Sequence, residues 1–437
     1  MKKIFRYIKL FSLCCIFFGI FLVSGRASAP VDRRYVERYI AESLYLRLER
    51  IDLSGFECRG ELVFDALDYV IKTNPELYYV GESFYYSANK DGFVTEIIPN
   101  YIYNKKETKN IKSFCDRELE KILFSVDEGM DDFTKALVLH EYLCDSFTYD
   151  DSLENYTMFE LLRDGRGTCQ AFTLTYMELL RRVGIESTYA YSNEIMHIWN
   201  VVELDGKWYH VDVTWDNARD GVLHTSFLLT DSEILENGHV GVVIPLGVEC
   251  TDTKYSGLYL RCVPYKYERL GDGFVFADNV SRGVYFDKLD GGEPELLHRI
   301  DGLWKKAEGR FYANSFVSVV RAGDRVYFNT KNSIMEIDGS LKVSELVGIA
   351  ADTYGIGESD VGLCLKLDRN GESTQTLVIN RSMDADGDGE VSLLDIAALS
   401  RYIHDKSGDI YKYNVDVNGD RALDCEDLEG LENRILA

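Results

Sequence analysis

The 437-residue sequence contains no Cys-x-x-Cys pair and no His-Glu-x-x-His run. The first absence excludes a zinc ribbon or a thioredoxin-type site, and the second a zincin-type metal centre. His140-Glu141-Tyr142-Leu143-Cys144 starts like a zincin motif but has no second histidine. Cysteine itself is sparse. Ten in the chain, with Cys14 and Cys15 near its start, are too few for a disulfide scaffold. Whether Cys250 pairs with Cys262 stays open. Positive charge is also short: 48 Lys and Arg stand against 73 Asp and Glu, a net charge of −25. With a pI near 4.7, the chain lacks the basic surface that binds nucleic acid, and it has room for cations.

Long apolar runs are missing except at the beginning. Lys2, Lys3, Arg6 and Lys9 surround the start of a run from Leu10 to Val23, and Ala27-Ser28-Ala29 follows. This predicts a signal peptide over 1–29, and with it a secreted chain that keeps no membrane segment after cleavage. The run falls short of the roughly 20 residues of a spanning helix. Pro30 disfavours a cut directly after Ala29, so a nearby cut or a retained anchor stays open. Hydrophobic residues at 46% and charged residues at 28% are ordinary for globular domains, and the length allows two or three.

Apolar spacing predicts helices over Val31–Leu48, Glu61–Lys72 and Ile111–Ser125, and another from Asp131 or Asp132 to about Ser146. A β-hairpin is expected between Leu77–Tyr86 and Phe93–Tyr103. His140 lies on the fourth helix, where a lone histidine is expected to be structural.

The chemistry gathers between Gly165 and Asp216. Leu174 to Val183 has helical spacing, Gly184 supplies a stop, and the helix should begin at or just after Cys169. A thiol at a helix N-terminus meets the positive end of the macrodipole, and the free N–H groups there suit an oxyanion. A buried structural cysteine is the bland alternative. Asp205-Gly206 is a two-residue turn signal. The register it sets pairs Asn200 with Val211 and Val202 with Tyr209 on one face. On the other it pairs His197 with Thr214, Trp199 with Asp212 and Val201 with His210. His197 and Asp212 are then diagonal neighbours, the arrangement in which a carboxylate orients an imidazole toward a nucleophile. His210 and Asp216 are expected to be supporting residues.

Gly167-Thr168-Cys169-Gln170, His197-Ile198-Trp199-Asn200 and Trp208 to Asp216 together resemble the core of the transglutaminase-like superfamily, a papain-like thiol fold. The resemblance is specific over Ala136 to Asp216 and loose over Pro30 to Asp252. It implies Cys169 as nucleophile, His197 as base and acid, and Asp212 as the orienting acid. Ala171-Phe172 departs from the Gly-Tyr common in bacterial relatives. No oxyanion-hole side chain is assigned.

Beyond Leu258, short β runs with Gly and Asp turns predict a mainly-β region reaching about Ile379, with a weak repeat between Gly283–Gly291 and Arg325–Gly339. The last segment carries two oxygen-rich registers. Asp384, Asp386, Asp388, Ser392 and Asp395 fall at positions 1, 3, 5, 9 and 12 of a calcium loop, with the Glu390 carbonyl at 7. Asp416, Asn418, Asp420, Asp424 and Asp427 repeat them, with the Ala422 carbonyl at 7. Each loop leads into an amphipathic stretch. Position 6 is Gly389 in the first loop and Arg421 in the second, so the second site is expected to be weaker. The pair resembles a type I-like dockerin, which implies two Ca2+ sites and binding to a cohesin domain of a scaffoldin, as in cellulosomes that degrade plant fibre.

The expected fold is α+β. A transglutaminase-like core with a mixed α/β N-terminal extension takes 30–252, a mainly-β region of unknown role takes 253–379, and a small all-α, calcium-binding dockerin takes 380–437. The expected function is a secreted, cellulosome-associated thiol enzyme that acts on protein or peptide amides through Cys169, His197 and Asp212, with no cofactor for catalysis. Whether water or an amine accepts the acyl group stays open. The rival is a catalytically silent binding or structural subunit.

Overall fold

The computed structural model describes residues 8–9 and 32–436, except 128, 219–220, 263–264, 290–291, 306–309, 323–324, 360–361, 370, 379–382, 387–390, 407–409, 411 and 419. Almost all of the leader expected over 1–29 lies outside these residues, as do Asp388 and Glu390. Contacts divide the chain into two units, each discontinuous in sequence. One holds the chain up to Glu118 with Ser146–Thr214 and Leu228–Asp252. The other holds Leu119–Asp145, Trp215–Phe227 and the chain from Thr253 onward. Both mix helices with antiparallel sheets.

The first half of the chain opens with α1 (Arg33–Tyr45) and α2 (Gly60–Thr73). Next come the hairpin strands β1 (Val80–Ala88) and β2 (Val94–Tyr101), then α3 (Lys105–Leu123) and α4 (Asp132–Ser146). Helix α3 begins earlier than apolar spacing predicts. Asn104 accepts from the Lys106 and Glu107 N–H groups while Glu107 accepts from Asn104 N–H, so a polar box sets the start. Asp131 caps α4 by accepting from Thr134 N–H at 2.8 Å.

The candidate site stands on a compact sequence of elements in the first unit. These are β3 (Thr148–Tyr149), α5 (Met158–Asp164), β4 (Arg166–Gly167), α6 (Cys169–Arg182), β5 (Ser187–Ser192), β6 (His197–Leu204) and β7 (Lys207–Val211). Strands β7, β6 and β5 are consecutive in an antiparallel sheet, with Phe227–Leu229 at its edge. Asp205 and Gly206 both take left-handed φ, 53° and 72°, as the expected hairpin turn requires. The register follows from it: Asn200 pairs with Val211, Val202 with Tyr209 and Leu204 with Lys207.

Helix α6 is buried from Cys169 through Leu180. Its polar residues are therefore answered internally. Thr173 donates to the Ile198 carbonyl and Thr175 to that of Ala171, while Glu178 is clamped by Arg181 and Arg182. Asn200 ties the sheet back to the helix by donating to the Thr173 carbonyl at 3.0 Å.

In the second unit, Glu268 to Val378 forms two four-stranded antiparallel meanders and one three-stranded sheet. Gly283–Asp287 is the third strand of the first meander, whereas Arg325–Asn329 is the second of the next. The weak repeat is thus one of strand texture and not of position. The last segment contains helices Leu393–Asp405 and Cys425–Leu436 and a helical turn at Lys412–Val415. Their core joins Leu399, Val415, Leu423 and Leu431 with Phe124. Among the described residues, no helix is long and apolar enough to cross a membrane.

Candidate active site

Cys169 is the first residue of α6, after an extended Thr168. Gly167 is required by space, because a Cβ there would stand 2.7 Å from the Ala171 Cβ and 3.0 Å from the Leu161 Cδ1. Gly167→Ala should therefore cost about 1–3 kcal/mol through overpacking and displace the helix start. We expect a lower urea midpoint together with slower alkylation of Cys169. An unchanged midpoint and unchanged labelling would contradict the packing argument.

His197 opens β6, just after Met196, which has a left-handed φ of 52°. Cys169 packs in one cluster with Ile198, the residue after His197, and His197 Nε2 donates to Asp212 Oδ2 at 2.5 Å. Burial alone would lower the His197 pKa. Asp212, by charge and hydrogen bond, and then Cys169 outweigh it and raise the value to about 10. The imidazole also lies nearly parallel to the Trp199 indole, 5.7 Å between centroids. Trp199 is fixed in turn: its Nε1 donates to His210 Nδ1 at 3.0 Å, so His210 carries its proton on Nε2 and donates it to Asp231 at 2.9 Å.

Register alone had put Asp212 on the strand facing Trp199. The ladder instead stops at Asn200–Val211, and Val213–Asp216 winds into a helical turn, so Asp212 sits at the junction. There Asp212 Oδ1 accepts from both the Thr214 N–H (3.0 Å) and its hydroxyl (2.6 Å). Oδ2 accepts from His197 and also from His239 Nε2 at 2.8 Å. Burial would raise the Asp212 carboxyl, but His197, His239 and Thr214 together hold it well below the usual carboxylate range. One carboxylate thus serves two imidazoles.

His140 and Asp216 belong to the second unit and hydrogen-bond each other at 3.1 Å, both fully buried. Asp216 also accepts from Ser226 N–H and the Thr225 hydroxyl. Cys250 carries a free thiol.

The two acidic loops repeat one construction. Asp395 Oδ1 accepts from Ala385 and Asp386 N–H, and its Oδ2 from Ser392 N–H. Asp427 takes the equivalent N–H groups of Val417, Asn418 and Asp424. Both carboxylates are buried. Those of Asp384, Asp386 and Asp395 lie within 4.8 Å of one another, an all-oxygen set suited to a hard cation. In the second loop Asp416 and Asp420 accept main-chain N–H groups, from Arg421 and Ala422. Arg421 has a left-handed φ of 60° and donates to the Tyr142 hydroxyl at 3.0 Å.

A thiol stands on a helix start, an imidazole on the second strand after it and a carboxylate beyond the hairpin. Residues 122–213 match the transglutaminase-like superfamily. Residues 382–436 match the dockerin type I domain. The chain therefore carries a transglutaminase-like segment and a type I dockerin, the make-up of a cellulosome-type module with a thiol-enzyme-like fold. Type I dockerins bind calcium, and a dockerin implies a cohesin partner and an extracellular, cellulosome-associated setting. No curated protein matches the chain. Among solved structures, it is similar to a TGase at 13% identity and a TM-score of 0.23, covering 32% of this chain and 46% of that one. It thus spans under half of that TGase. An arylamine N-acetyltransferase from Bacillus cereus, described as having a Cys-His-Glu triad, is similar at 12% identity and a TM-score of 0.20, covering 54% and 93%.

Within the transglutaminase-like segment, sequence reasoning brought Cys169, His197 and Asp212 together, and the hairpin register had already set Thr214 across from His197. It missed Tyr149, whose short strand pairs it with Gly167, two residues before Cys169. His239 lies outside the matched segment and was missed too. It follows a short helix, Asp231–Glu236, in Gly238-His239-Val240, where no spacing relates it to Asp212.

Proposed function

We propose that this protein is a secreted thiol enzyme acting on protein or peptide amides, held by its dockerin on a cohesin of a cellulosome scaffoldin. The observation that carries the reading is the His197 imidazole, hydrogen-bonded to the Asp212 carboxylate and raised in pKa by Asp212 and by Cys169 at the start of α6. In the proposed reaction the Cys169 sulfur, its proton already held by His197, attacks the amide carbonyl. As the tetrahedral adduct collapses, the C–N bond breaks and His197 gives the proton to the leaving amine, which leaves a thioester. A second nucleophile, water or a primary amine, then yields a proton to His197, breaks the C–S bond and releases the sulfur with the proton kept on His197. Asp212 holds the ring and stabilises its cationic form throughout.

The arrangement in sequence that goes with this function is a signal peptide over 1–29, the transglutaminase-like domain with its N-terminal extension over 30–252, a mainly-β domain over 253–379 and the dockerin over 380–437. The two acidic loops would each hold one Ca2+. The first would use Asp384, Asp386, Asp388, Ser392, Asp395 and the Glu390 carbonyl. The second would use Asp416, Asn418, Asp420, Asp424, Asp427 and the Ala422 carbonyl.

Mass spectrometry of a peptide library incubated with the protein, with and without a primary amine, tests the chemistry. Cleaved, deamidated or amine-bearing peptides that vanish in a Cys169→Ala variant are expected, and the product class names the acceptor. An unchanged library, with Cys169 alkylated by iodoacetamide no faster than the other cysteines, would favour a silent binding subunit.

A further inference from the structure

His239 reaches Asp212 from the end of the short helix Asp231–Glu236, and that helix is tied to the site at both ends. Thr230 caps its start in a reciprocal box with Glu233. Its end is a Schellman turn. Gly238 takes a φ of 101° and donates its N–H to the Leu235 carbonyl at 3.0 Å, and His239 N–H donates to that of Ile234 at 3.1 Å. The helix thus sets the His239 backbone. At the other end Asp231 holds His210, which fixes Trp199. Trp199 in turn meets the His239 ring edge to face, 4.7 Å between centroids. His239 is fully buried, with no bulk water at hand to replace the carboxylate as its partner.

A carboxylate has about four acceptor sites, two on each oxygen. In Asp212, Oδ1 takes the N–H and the hydroxyl of Thr214, and Oδ2 takes His197 and His239. The oxygen that serves His197 is therefore shared. His197 has two opposed duties in the proposed reaction. It must hold a proton while the sulfur is an anion, and it must give that proton to the leaving amine. Asp212 favours the first duty, and with Cys169 it raises the His197 pKa to about 10. An unshared Oδ2 would hold the proton harder still. A further donor stabilises the carboxylate as an anion and makes it a weaker base, so it pulls less on the proton of the other ring.

We propose that His239 is a positioning residue for acyl transfer: its Nε2 proton, donated to Asp212 Oδ2, divides that oxygen between two imidazoles and so lets His197 release its own proton to the leaving amine. His239 acts through Asp212 and keeps its proton throughout, and Asp212 stays ionised. The proton that moves is the one on His197, and it ends on the nitrogen of the broken C–N bond. The role rests on Cys169 being the nucleophile, and His197 the acid, of the proposed function.

Two variants and two reactions test the role on the full chain, with a peptide amide turned over in the library experiment as substrate. His239→Leu fills the space and loses the donor, whereas His239→Gln keeps an N–H that can take the place of Nε2. Amide turnover should fall by about 10–100-fold in His239→Leu, the range seen for partners that orient metal-bound histidines, with KM unchanged. It should return to within about threefold of wild type in His239→Gln. Iodoacetamide alkylation of Cys169 needs the thiolate but hands no proton to a leaving group, so it should change by less than about threefold in either variant. Undiminished amide turnover in His239→Leu would overturn the assignment, as would a loss that His239→Gln does not repair. So would a parallel fall of turnover and alkylation, which would mean that His239 only supports the fold. If wild type turned over no amide, or no more than Cys169→Ala, the thiol-enzyme reading would fail and the His239 role with it.

Discussion

Amide turnover should fall by at least about 10⁴-fold in Cys169→Ala, with the thermal melt unchanged, because the nucleophile of such a site acts as part of a unit that fails when one member is missing. The pH dependence of the wild type is more diagnostic. A free histidine loses its proton near pH 6.5. Burial favours that loss, yet the Asp212 charge and the Cys169 thiol overcome it, and His197 holds its proton to about pH 10. Since His197 must hand a proton to the leaving amine, turnover should persist through pH 8–9 and decline as pH rises through about 10. An alkaline limb centred near 6.5–7 would contradict the ion-pair description. The same shift has a sign for stability. A pKa raised above its unfolded value stabilises the fold fully below about pH 6.5, and that contribution is lost as pH climbs through about 10. Asp212 acts at the other extreme. Its depressed pKa contributes stability above the ordinary carboxylate range, which disappears in strong acid.

Calcium removal should have the second large effect. Asp384, Asp386 and Asp395 bring three carboxylates within 4.8 Å of one another. Without a cation they repel, and in the proposed function a bound cation would take them as ligands. Ion binding to the folded form alone stabilises it by about 2.7 kcal/mol at a concentration 100 times the dissociation constant. Chelation should lower the melting temperature of the dockerin transition and abolish cohesin binding, and Ca2+ should restore both. Binding that survives excess chelator would refute the calcium role. The loops should also differ in strength. Arg421 holds a left-handed φ of 60°, at a cost of roughly 1 kcal/mol for a residue with a Cβ. Calorimetric titration should resolve a tighter and a weaker site. Asp395→Ala should remove the tighter and Asp427→Ala the weaker, and two equal sites would rule out the strain argument.

Much of the candidate site was legible because its parts are linked by local rules. Asp205-Gly206 set the hairpin turn, the turn set the register, and the register brought His197, Asp212 and Thr214 to one end. The doubled loops were legible because ligand spacing is a property of the chain itself. The end of β7 was not. Thr214 returns both its N–H and its hydroxyl to Asp212, and that local bond outbids further strand pairing. The surroundings of α6 were hidden for another reason. Thr173, Thr175 and Glu178 are polar yet buried, satisfied in part by groups remote in sequence such as the Ile198 carbonyl. His239, 27 positions from Asp212, leaves no pattern at all.

The discontinuity of the two units bears on how this gene could be cut. The superfamily match runs over 122–213, yet residues up to Asp145 are counted with the chain beyond Thr253. Glu141 shows what that entails. Its buried carboxylate accepts from His224 Nε2 at 2.8 Å and from Tyr267 N–H at 2.9 Å. A stop codon after Asp252 would spare Cys169, His197 and Asp212 but strip a donor from that acid and leave α4 facing solvent where Tyr267 had been. Recombination that shuffles cassettes at such a seam would pass on Cys169, His197 and Asp212 without the Tyr267 N–H that Glu141 accepts, so the transglutaminase-like segment and the stretch that carries Tyr267 would need to be inherited together.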